Sequence, residues 1–230
     1  MEHIKQNLAE INERIAQAAH KAGTKANDVM LIGVTKTIDE VRIAHLIECG
    51  VTNLGENRVQ EMLPKMDALA DLQPTWHLIG HLQSNKARQV VGRVALIHSV
   101  DSLSLAQEID KRAANAGVVQ NILIEVNAAG EDTKFGLAPE NVMEFAKNIT
   151  NFGNIKLNGL MTVAPFVENS ENNRIYFQKM YQLFVDIKQK INDNIDMRYL
   201  SMGMTNDYET AIEEGANIVR IGTGIFGERT

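Results

Sequence analysis

The feature that most constrains the fold is a repeated order along the chain: a short apolar segment, a polar turn and an amphipathic helix. Alternating strands and helices are typical of a parallel β-sheet, because a helical crossover returns the chain to the same edge of the sheet. No linker rich in proline, glycine or serine divides the 230 residues, and the four prolines are isolated. We therefore predict a single domain that spans residues 1–230.

Eight apolar segments have the length and composition of strands. We predict them at residues 29–35, 53–55, 75–79, 96–100, 121–126, 157–162, 198–201 and 218–221. Eight is the number of strands in a (β/α)8 TIM barrel, although an open doubly wound sheet would satisfy the same pattern. Closure is favoured by this count and by two turns that resemble phosphate sites after the seventh and eighth strands, where barrels commonly bind phosphate.

Lys36 follows the apolar run 30–35 at the end of the first predicted strand. Removing a lysine from water is costly unless its amine is used. Burial and a helix N-terminus both lower the pKa of a lysine, which leaves more of the free amine that attacks an aldehyde. A capping-box pattern at 37–40 predicts a helix directly after it. Lys36 is therefore a candidate for imine formation; the alternative is a surface lysine just past a strand.

Two glycine turns, at 201–205 and 222–224, have the composition of an anion site. Their glycines let the backbone approach a ligand closely, and backbone N–H groups before a helix bind anions. The alternative is that they are only tight turns and helix caps. In a closed barrel they would lie beside Lys36, so the sequence predicts a phosphorylated aldehyde as ligand. Arg220, inside an apolar strand, is expected either to form a salt bridge or to contact this ligand.

Several classes of function are disfavoured by composition. The net charge is −6 and the basic residues are scattered, which argues against nucleic-acid binding. No apolar stretch is long enough to span a membrane, and residues 1–5 are too polar for a secretory signal. A lone cysteine, Cys49, fits a cytoplasmic location. His77 and His81 are four residues apart but flank a strand and lack further ligands, so we predict no metal site.

The charged loop 131–136 is interpreted as solvated surface, with a mobile flap as the alternative. A more speculative hypothesis is that Lys134 in this loop transiently takes the aldehyde while the ligand is transferred. We expect these residues to lie at the carboxyl end of the fifth strand.

Five long motifs resemble the pyridoxal phosphate homeostasis protein family, and together they cover almost the whole chain. They are IGVTK (32–36), LGENRVQE (54–61), WHLIGHLQSNK (76–86), LSMGMT (200–205) and VRIGTGIFG (219–227). The resemblance implies a barrel similar to the N-terminal domain of alanine racemases, with pyridoxal 5′-phosphate held as an aldimine on Lys36. It further implies that Arg220 faces the pyridine nitrogen. By the same resemblance the phosphate would be held by Ser201, Met202, Gly203, Gly222 and Thr223, and the ring pocket would be lined by Asn57, His81 and Met161.

The resemblance implies storage and supply of the cofactor rather than catalysis, with no catalytic residue. An arginine does not give up its proton, so Arg220 would leave the ring a weak electron sink. The few residues after Gly227 would not build the second domain that is expected to supply a tyrosine to alanine racemases. We expect a cytoplasmic monomer that passes the cofactor to apo-enzymes. The alternatives are an amino-acid racemase with Lys36 or His81 as a lone base, and an aldolase acting on a sugar phosphate.

Overall fold

The computed structural model describes residues 1–191 and 195–227. Within them, eight parallel strands close into a barrel in the order β1 to β8. The prediction of a TIM barrel is confirmed, and the open sheet is excluded because β1 pairs with β8 as well as with β2. The strands are β1 (Met30–Val34), β2 (Asn53–Glu56), β3 (Thr75–Leu78), β4 (Leu96–Val100), β5 (Gln120–Glu125), β6 (Ile155–Met161), β7 (Ile195–Ser201) and β8 (Ile218–Ile221).

Helices surround the barrel and bury their apolar faces against it. A 3-10 segment, Ser84–Gln89, takes the place of a helix between β3 and β4. No helix among the described residues is long and apolar enough to cross a lipid bilayer. The helices are α1 (Glu2–Lys21), α2 (Glu40–Glu48), α3 (Val59–Ala68), α4 (Leu103–Ala116), α5 (Val142–Ile149), α6 (Arg174–Lys190), α7 (Tyr208–Glu213) and α8 (Thr223–Phe226).

The register between β1 and β8 decides which side chains meet at the closure. Ile32 lies opposite Arg220, and Gly33 lies opposite Ile221. Because parallel strands end at the same edge, Lys36 after β1 and the turn 222–224 after β8 open onto the same face of the barrel. The sequence order therefore places the first and last candidate segments side by side.

The prediction of a capping box at residues 37–40 is wrong. Helix α2 begins at Glu40, and Asp39 is its N-cap, with a side chain that accepts a hydrogen bond from the Arg42 N–H. Thr37 has a φ of 64°, and its N–H donates to Glu61 Oε2 at 3.0 Å. A left-handed turn therefore separates Lys36 from the helix, and the side chain that predicted a cap belongs to that turn.

The interior of the barrel is partly apolar and partly polar. A small cluster made of Ile32, Leu96, Leu123, Met161 and Ile218 fills one layer. Four polar side chains, at 0–4% exposure, are also enclosed: His77, His98, Ser201 and Arg220. Buried polar groups of this kind are costly unless they are hydrogen-bonded to each other, so their pairing becomes part of the fold.

Gly159 in β6 gives a test of the strand packing. Its φ is +153°, and an added Cβ would lie 1.7 Å from the carbonyl oxygen of Tyr199 in β7. We predict that Gly159→Ala lowers the free energy of unfolding by roughly 3 kcal/mol, because β6 and β7 must separate to admit the methyl group. Gly153→Ala is the control, since no atom lies within 4 Å of its added Cβ. Equal denaturation midpoints for the two variants would contradict this packing.

Candidate cofactor-binding site

A cavity of about 740 Å³ opens at the carboxyl ends of the strands. Five of the predicted site residues line it: Lys36, Asn57, Arg220, Gly222 and Thr223. Thus β1, β2 and β8 bring the predicted amine, the predicted arginine and one glycine turn to one place. The other lining residues are Val34, Ile38, Ile79, Lys134, Val163, Ala164, Pro165, Phe166, Val167, Asn173, Met204, Thr205, Asn206, Asp207, Phe226 and Gly227.

Lys36 is half-buried in a tight turn at the end of β1. The turn is closed by the Ile38 N–H, which donates to the Thr35 carbonyl at 3.0 Å. Thr37 supplies the left-handed residue of this turn, a conformation that costs a β-branched side chain roughly 1–3 kcal/mol. Such strain persists only where surrounding contacts hold it, and both neighbours of Lys36 are indeed held.

A buried ion pair holds the backbone on the β1 side of Lys36. Lys65 Nζ lies 2.6 Å from Glu56 Oε1 and donates to the Thr35 carbonyl at 2.8 Å. Thr35 Oγ1 donates to the same carboxylate at 2.7 Å. The Lys65 and Glu56 side chains are 8% and 0% exposed. Breaking such a pair leaves an uncompensated buried charge, so the pair fixes the strand end that carries Lys36.

Arg220 lies at the bottom of the cavity and is 4% exposed. It donates to Ser201 Oγ at 2.6 Å and to the Thr162 carbonyl at 2.8 Å, both neutral acceptors. Burial lowers the pKa of Arg220 to about 10, although the negative charges of Asp207 and Glu125 oppose this effect. The guanidinium therefore stays charged at neutral pH.

Glu125 at the end of β5 is the second buried charge near Arg220. Burial, together with the negative charge of Asp101, raises the pKa of Glu125 to about 7, and Arg220 opposes this rise. Its Oε2 atom is buried with no hydrogen-bond partner among the described residues. At neutral pH this carboxyl is only partly ionised, so it compensates the guanidinium incompletely.

Ser201 is the first link between Arg220 and three further polar side chains inside the barrel. Its Oγ lies 3.1 Å from His98 Nδ1, and His98 Nε2 lies 3.1 Å from His77 Nδ1. His77 Nε2 in turn lies 3.2 Å from Asn53 Oδ1. We term Asn53, His77, His98, Ser201 and Arg220 the interior hydrogen-bond chain. It runs from the floor of the cavity across the barrel to β2.

The two glycine turns are tied to each other by side chains. Thr205 Oγ1 accepts from the Gly224 N–H at 3.1 Å. Asp207 Oδ1 accepts from the Met204 N–H at 2.7 Å, and Asp207 Oδ2 accepts from Asn173 Nδ2 at 2.8 Å. These bonds connect the turns after β7 and β8 to the segment before α6, so the three form one rigid wall of the cavity.

The wall leaves backbone donors for an anion. In the described part of the chain, the N–H groups of Thr205, Gly222 and Thr223 have no hydrogen-bond acceptor, and all three residues line the cavity. A Cβ on Gly222 would lie 3.3 Å from the Cβ and carbonyl oxygen of Val34, so the glycine keeps this corner open. Helices α7 and α8 contain only six and four residues, so their dipoles are small. An anion here would be held mainly by hydrogen bonds from these amides.

Asn57 offers a second unpartnered polar atom to a ligand. Its Oδ1 atom is buried and has no hydrogen-bond partner within residues 1–191 and 195–227. Asn57 also lines the cavity. A buried acceptor without a donor costs about 1–3 kcal/mol. A phosphorylated ligand with a polar ring therefore fits this cavity at both ends.

Five predicted site residues do not line the cavity: His81, Met161, Ser201, Met202 and Gly203. Met161, Ser201 and Met202 are each 0% exposed, and the hydroxyl of Ser201 is already engaged by Arg220 and His98. Gly203 has a φ of +92°, and its added Cβ would lie 2.7 Å from the Ala211 Cβ, so it is needed for the turn itself. Direct contact of these five residues with a ligand stays a prediction.

His81 lies against the loop 131–136. The Phe135 ring stacks on His81 with centroids 3.9 Å apart and planes 12° apart. Lys134 lines the cavity, and its Nζ lies 3.0 Å from Glu131 Oε2. Asp132, Thr133 and Phe135 of this loop are exposed, as expected for solvated surface, whereas Lys134 reaches the cavity. No group of three or more possible metal ligands converges within the described residues.

Some residues of the site were missed by sequence reasoning. The cavity is also lined by the segment 163–167, Asn173 and Asp207. These residues lie outside the motifs that predicted the site. His98 was missed as well, although a histidine inside the apolar strand 96–100 was a detectable signal. The pairing of Glu56 with Lys65 had a similar signal, because both residues are charged and lie on the buried faces of β2 and α3.

The Lys65–Glu56 pair gives a test of how Lys36 is positioned. We predict that Lys65→Met lowers the free energy of unfolding by about 3–5 kcal/mol, because Glu56 would stay buried without its cation. The double variant Lys65→Met/Glu56→Gln should recover much of this loss, since it removes the orphaned charge. Chemical denaturation measures both. A cost below about 1 kcal/mol for Lys65→Met would show that the pair does not hold the strand end.

Comparisons with known proteins agree with this geometry. The family model for the N-terminal domain of alanine racemase matches residues 1–230. The pyridoxal phosphate homeostasis protein of Aquifex aeolicus is 47% identical over 224 residues, covering 97% of each chain. The structure of PipY from Synechococcus elongatus with bound PLP, 31% identical, superposes with a TM-score of 0.85 and covers 97% of this chain and 100% of PipY.

A more distant structure shows the shared fold alone. Alanine racemase of Clostridium difficile is 18% identical, with a TM-score of 0.70; the match covers 100% of this chain and 57% of the racemase. The resemblance seen in the five motifs is thus confirmed over the full length of close relatives. The chain belongs to the alanine racemase N-terminal domain family and, within it, to the pyridoxal phosphate homeostasis proteins.

Proposed function

We propose that this protein binds pyridoxal 5′-phosphate and holds it for intracellular vitamin B6 homeostasis, with little or no catalytic turnover. The observation that carries the proposal is that one cavity combines Lys36, Arg220 and the unpartnered amides of the glycine turns. The naming of the Aquifex aeolicus relative and the PLP bound to PipY support it. The whole chain would act as one cofactor-binding domain.

Lys36 is proposed as the covalent anchor. Its amine nitrogen would attack the aldehyde carbon, a C=N bond would form, and one water molecule would leave. The bound cofactor supplies a reactive aldehyde that this bond masks reversibly. The turn around Lys36 and the Lys65–Glu56 pair would hold the amine at a fixed position, which reduces the entropy lost on attachment.

The phosphate is proposed to bind the amides of Thr205, Gly222 and Thr223. Each charge-assisted hydrogen bond contributes roughly 1.5–3 kcal/mol, so several of them retain the cofactor even without the covalent bond. Gly203 and Met202 would shape this turn from behind.

The ring is proposed to lie against Arg220 and Asn57. Arg220 would donate to the ring nitrogen, and Asn57 Oδ1 would gain the donor that it lacks. His81 and Met161 are proposed to bound the ring pocket, and Ser201 would act through Arg220. Because Arg220 donates a hydrogen bond without releasing a proton, the ring would be a weak electron sink, which disfavours carbanion chemistry.

Transfer to apo-enzymes that need the cofactor is proposed as the use of the stored molecule. Phe166, which is 84% exposed, and Val163 lie at the rim of the cavity. Exposed apolar side chains around a binding site are typical of surfaces that contact other proteins. We further propose that the protein is a monomer in the cytoplasm, where its single cysteine would stay reduced. Rapid solvent-deuterium exchange at the Cα of amino acids would instead favour a racemase.

Lys36→Ala tests the covalent anchor. We predict that this variant lacks the visible absorbance of an imine-bound cofactor but retains weak binding, because the amides of the glycine turns remain. Absorbance spectra and calorimetric titration with pyridoxal phosphate measure the two effects. Lys111→Ala, at an exposed position on α4, is the matched control and should match the unmodified protein. An unchanged spectrum for Lys36→Ala would contradict the assignment.

Lys134→Ala tests the role of the loop in release. Lys134 brings a second amine into the cavity, so it could attack the imine carbon while the Lys36 amine leaves. We predict an affinity within about twofold of the original but slower delivery to a recipient apo-enzyme, followed by recovery of that enzyme's activity. Lys147→Ala, at an exposed position on α5, controls for the lost charge. Equal delivery rates for both variants would rule out this role.

A further inference from the structure

The interior hydrogen-bond chain crosses the barrel, and none of its four links is an ion pair. Its four links, from Arg220 to Ser201, His98, His77 and Asn53, measure 2.6, 3.1, 3.1 and 3.2 Å. Ser201 and His98 are 0% exposed, and His77 is 2% exposed. Polar side chains this deeply buried are destabilising unless they are hydrogen-bonded. Each link therefore needs one donor and one acceptor, which constrains its direction.

Arg220 sets the direction of the first link. A guanidinium only donates hydrogen bonds, so Ser201 Oγ accepts from Arg220. If the hydroxyl hydrogen of Ser201 donates to His98 Nδ1, the His98 Nε2–H donates to His77 Nδ1. The His77 Nε2–H finally donates to Asn53 Oδ1. In this arrangement every link has one donor and one acceptor, and both imidazoles are neutral with the hydrogen on Nε2.

The reverse direction is less favourable. In that direction His77 Nδ1–H would donate to His98 Nε2, and His98 Nδ1–H would donate to Ser201 Oγ. The Ser201 hydroxyl hydrogen would then have no acceptor among the described residues, at a cost of about 1–3 kcal/mol. The reverse direction would also require the Asn53 side chain to place its Nδ2, instead of its Oδ1, next to His77 Nε2. A charged His98 is disfavoured too, because burial and the nearby His77 and Arg220 hold the pKa of His98 well below its usual value. Burial lowers the pKa of His77 to about 4.

We propose that His98 and His77 are positioning residues that fix the guanidinium of Arg220 as a hydrogen-bond donor to a ring nitrogen in the cavity. They act through Ser201, whose hydroxyl they orient so that a lone pair faces Arg220. The Thr162 carbonyl holds the other arm of the guanidinium, and Arg220 itself lines the cavity. The charged groups around Arg220 are Asp207 and Glu125. This inference rests on the proposed function for the identity of the ring.

The direction of the chain is tested on the protein without cofactor. Nitrogen-15 NMR of histidine-labelled protein distinguishes the two neutral tautomers and the charged form. We expect both His77 and His98 to be neutral and protonated on Nε2 at pH 7. Protonation of either ring on Nδ1, or a charged ring, would overturn the proposed orientation of Ser201.

The effect on the ligand is tested by comparing pyridoxal phosphate with its 1-deaza analogue, which lacks the ring nitrogen. The unmodified protein should bind pyridoxal phosphate roughly threefold to tenfold more tightly than the analogue, as expected for one hydrogen bond. In His98→Leu this ratio should fall to near one, with little change in analogue affinity. His98→Asn offers Ser201 an acceptor near the place of Nδ1 and should restore most of the ratio.

The outcomes separate this inference from the proposed function. His45→Leu, on α2 outside the barrel, is the control and should keep the full ratio. Equal weakening of both ligands in His98→Leu would show a purely structural role and overturn the inference. If the unmodified protein bound neither ligand, the proposed function would fail, and the positioning role would fail with it even if the NMR confirmed the direction of the chain.

Discussion

The pairing of β1 with β8 is the constraint on which the rest of the structure depends. It places Ile32 opposite Arg220 and brings the turn that carries Lys36 beside the turn 222–224. Residues that are almost 190 positions apart in the sequence thereby share one cavity. In an open doubly wound sheet the first and last strands need not be neighbours, so the amine and the anion-binding amides need not meet. The candidate site is thus a direct consequence of barrel closure.

The site is held by polar groups that the fold buries at some cost. Lys65 and Glu56 form an ion pair beneath the Lys36 turn, whereas the cation Arg220 is held by neutral oxygens and by the interior hydrogen-bond chain. Ser201 Oγ and the Thr162 carbonyl engage two of the five N–H donors of Arg220, which leaves others able to donate into the cavity. Stability and ligand recognition therefore depend on the same contacts.

Much of the fold was predictable because its signal is periodic. Eight strands were located from apolar segments, and glycine turns after the last two indicated closure. The start of α2 was mispredicted because Thr37 lies in a left-handed turn, which residue type alone does not reveal. At the site, Lys36 and Arg220 were identifiable as charges in apolar surroundings. Contacts between segments distant in sequence determine the burial of Ser201, the stacking of Phe135 on His81 and the partners of His98, and no local pattern encodes them.

The central claim is that barrel closure presents one particular amine to a phosphorylated aldehyde. The most direct measurement is borohydride reduction of the protein after loading with pyridoxal phosphate, followed by peptide mass spectrometry. The account predicts one adduct, on Lys36. An adduct on a different lysine, or no adduct at all, would contradict it.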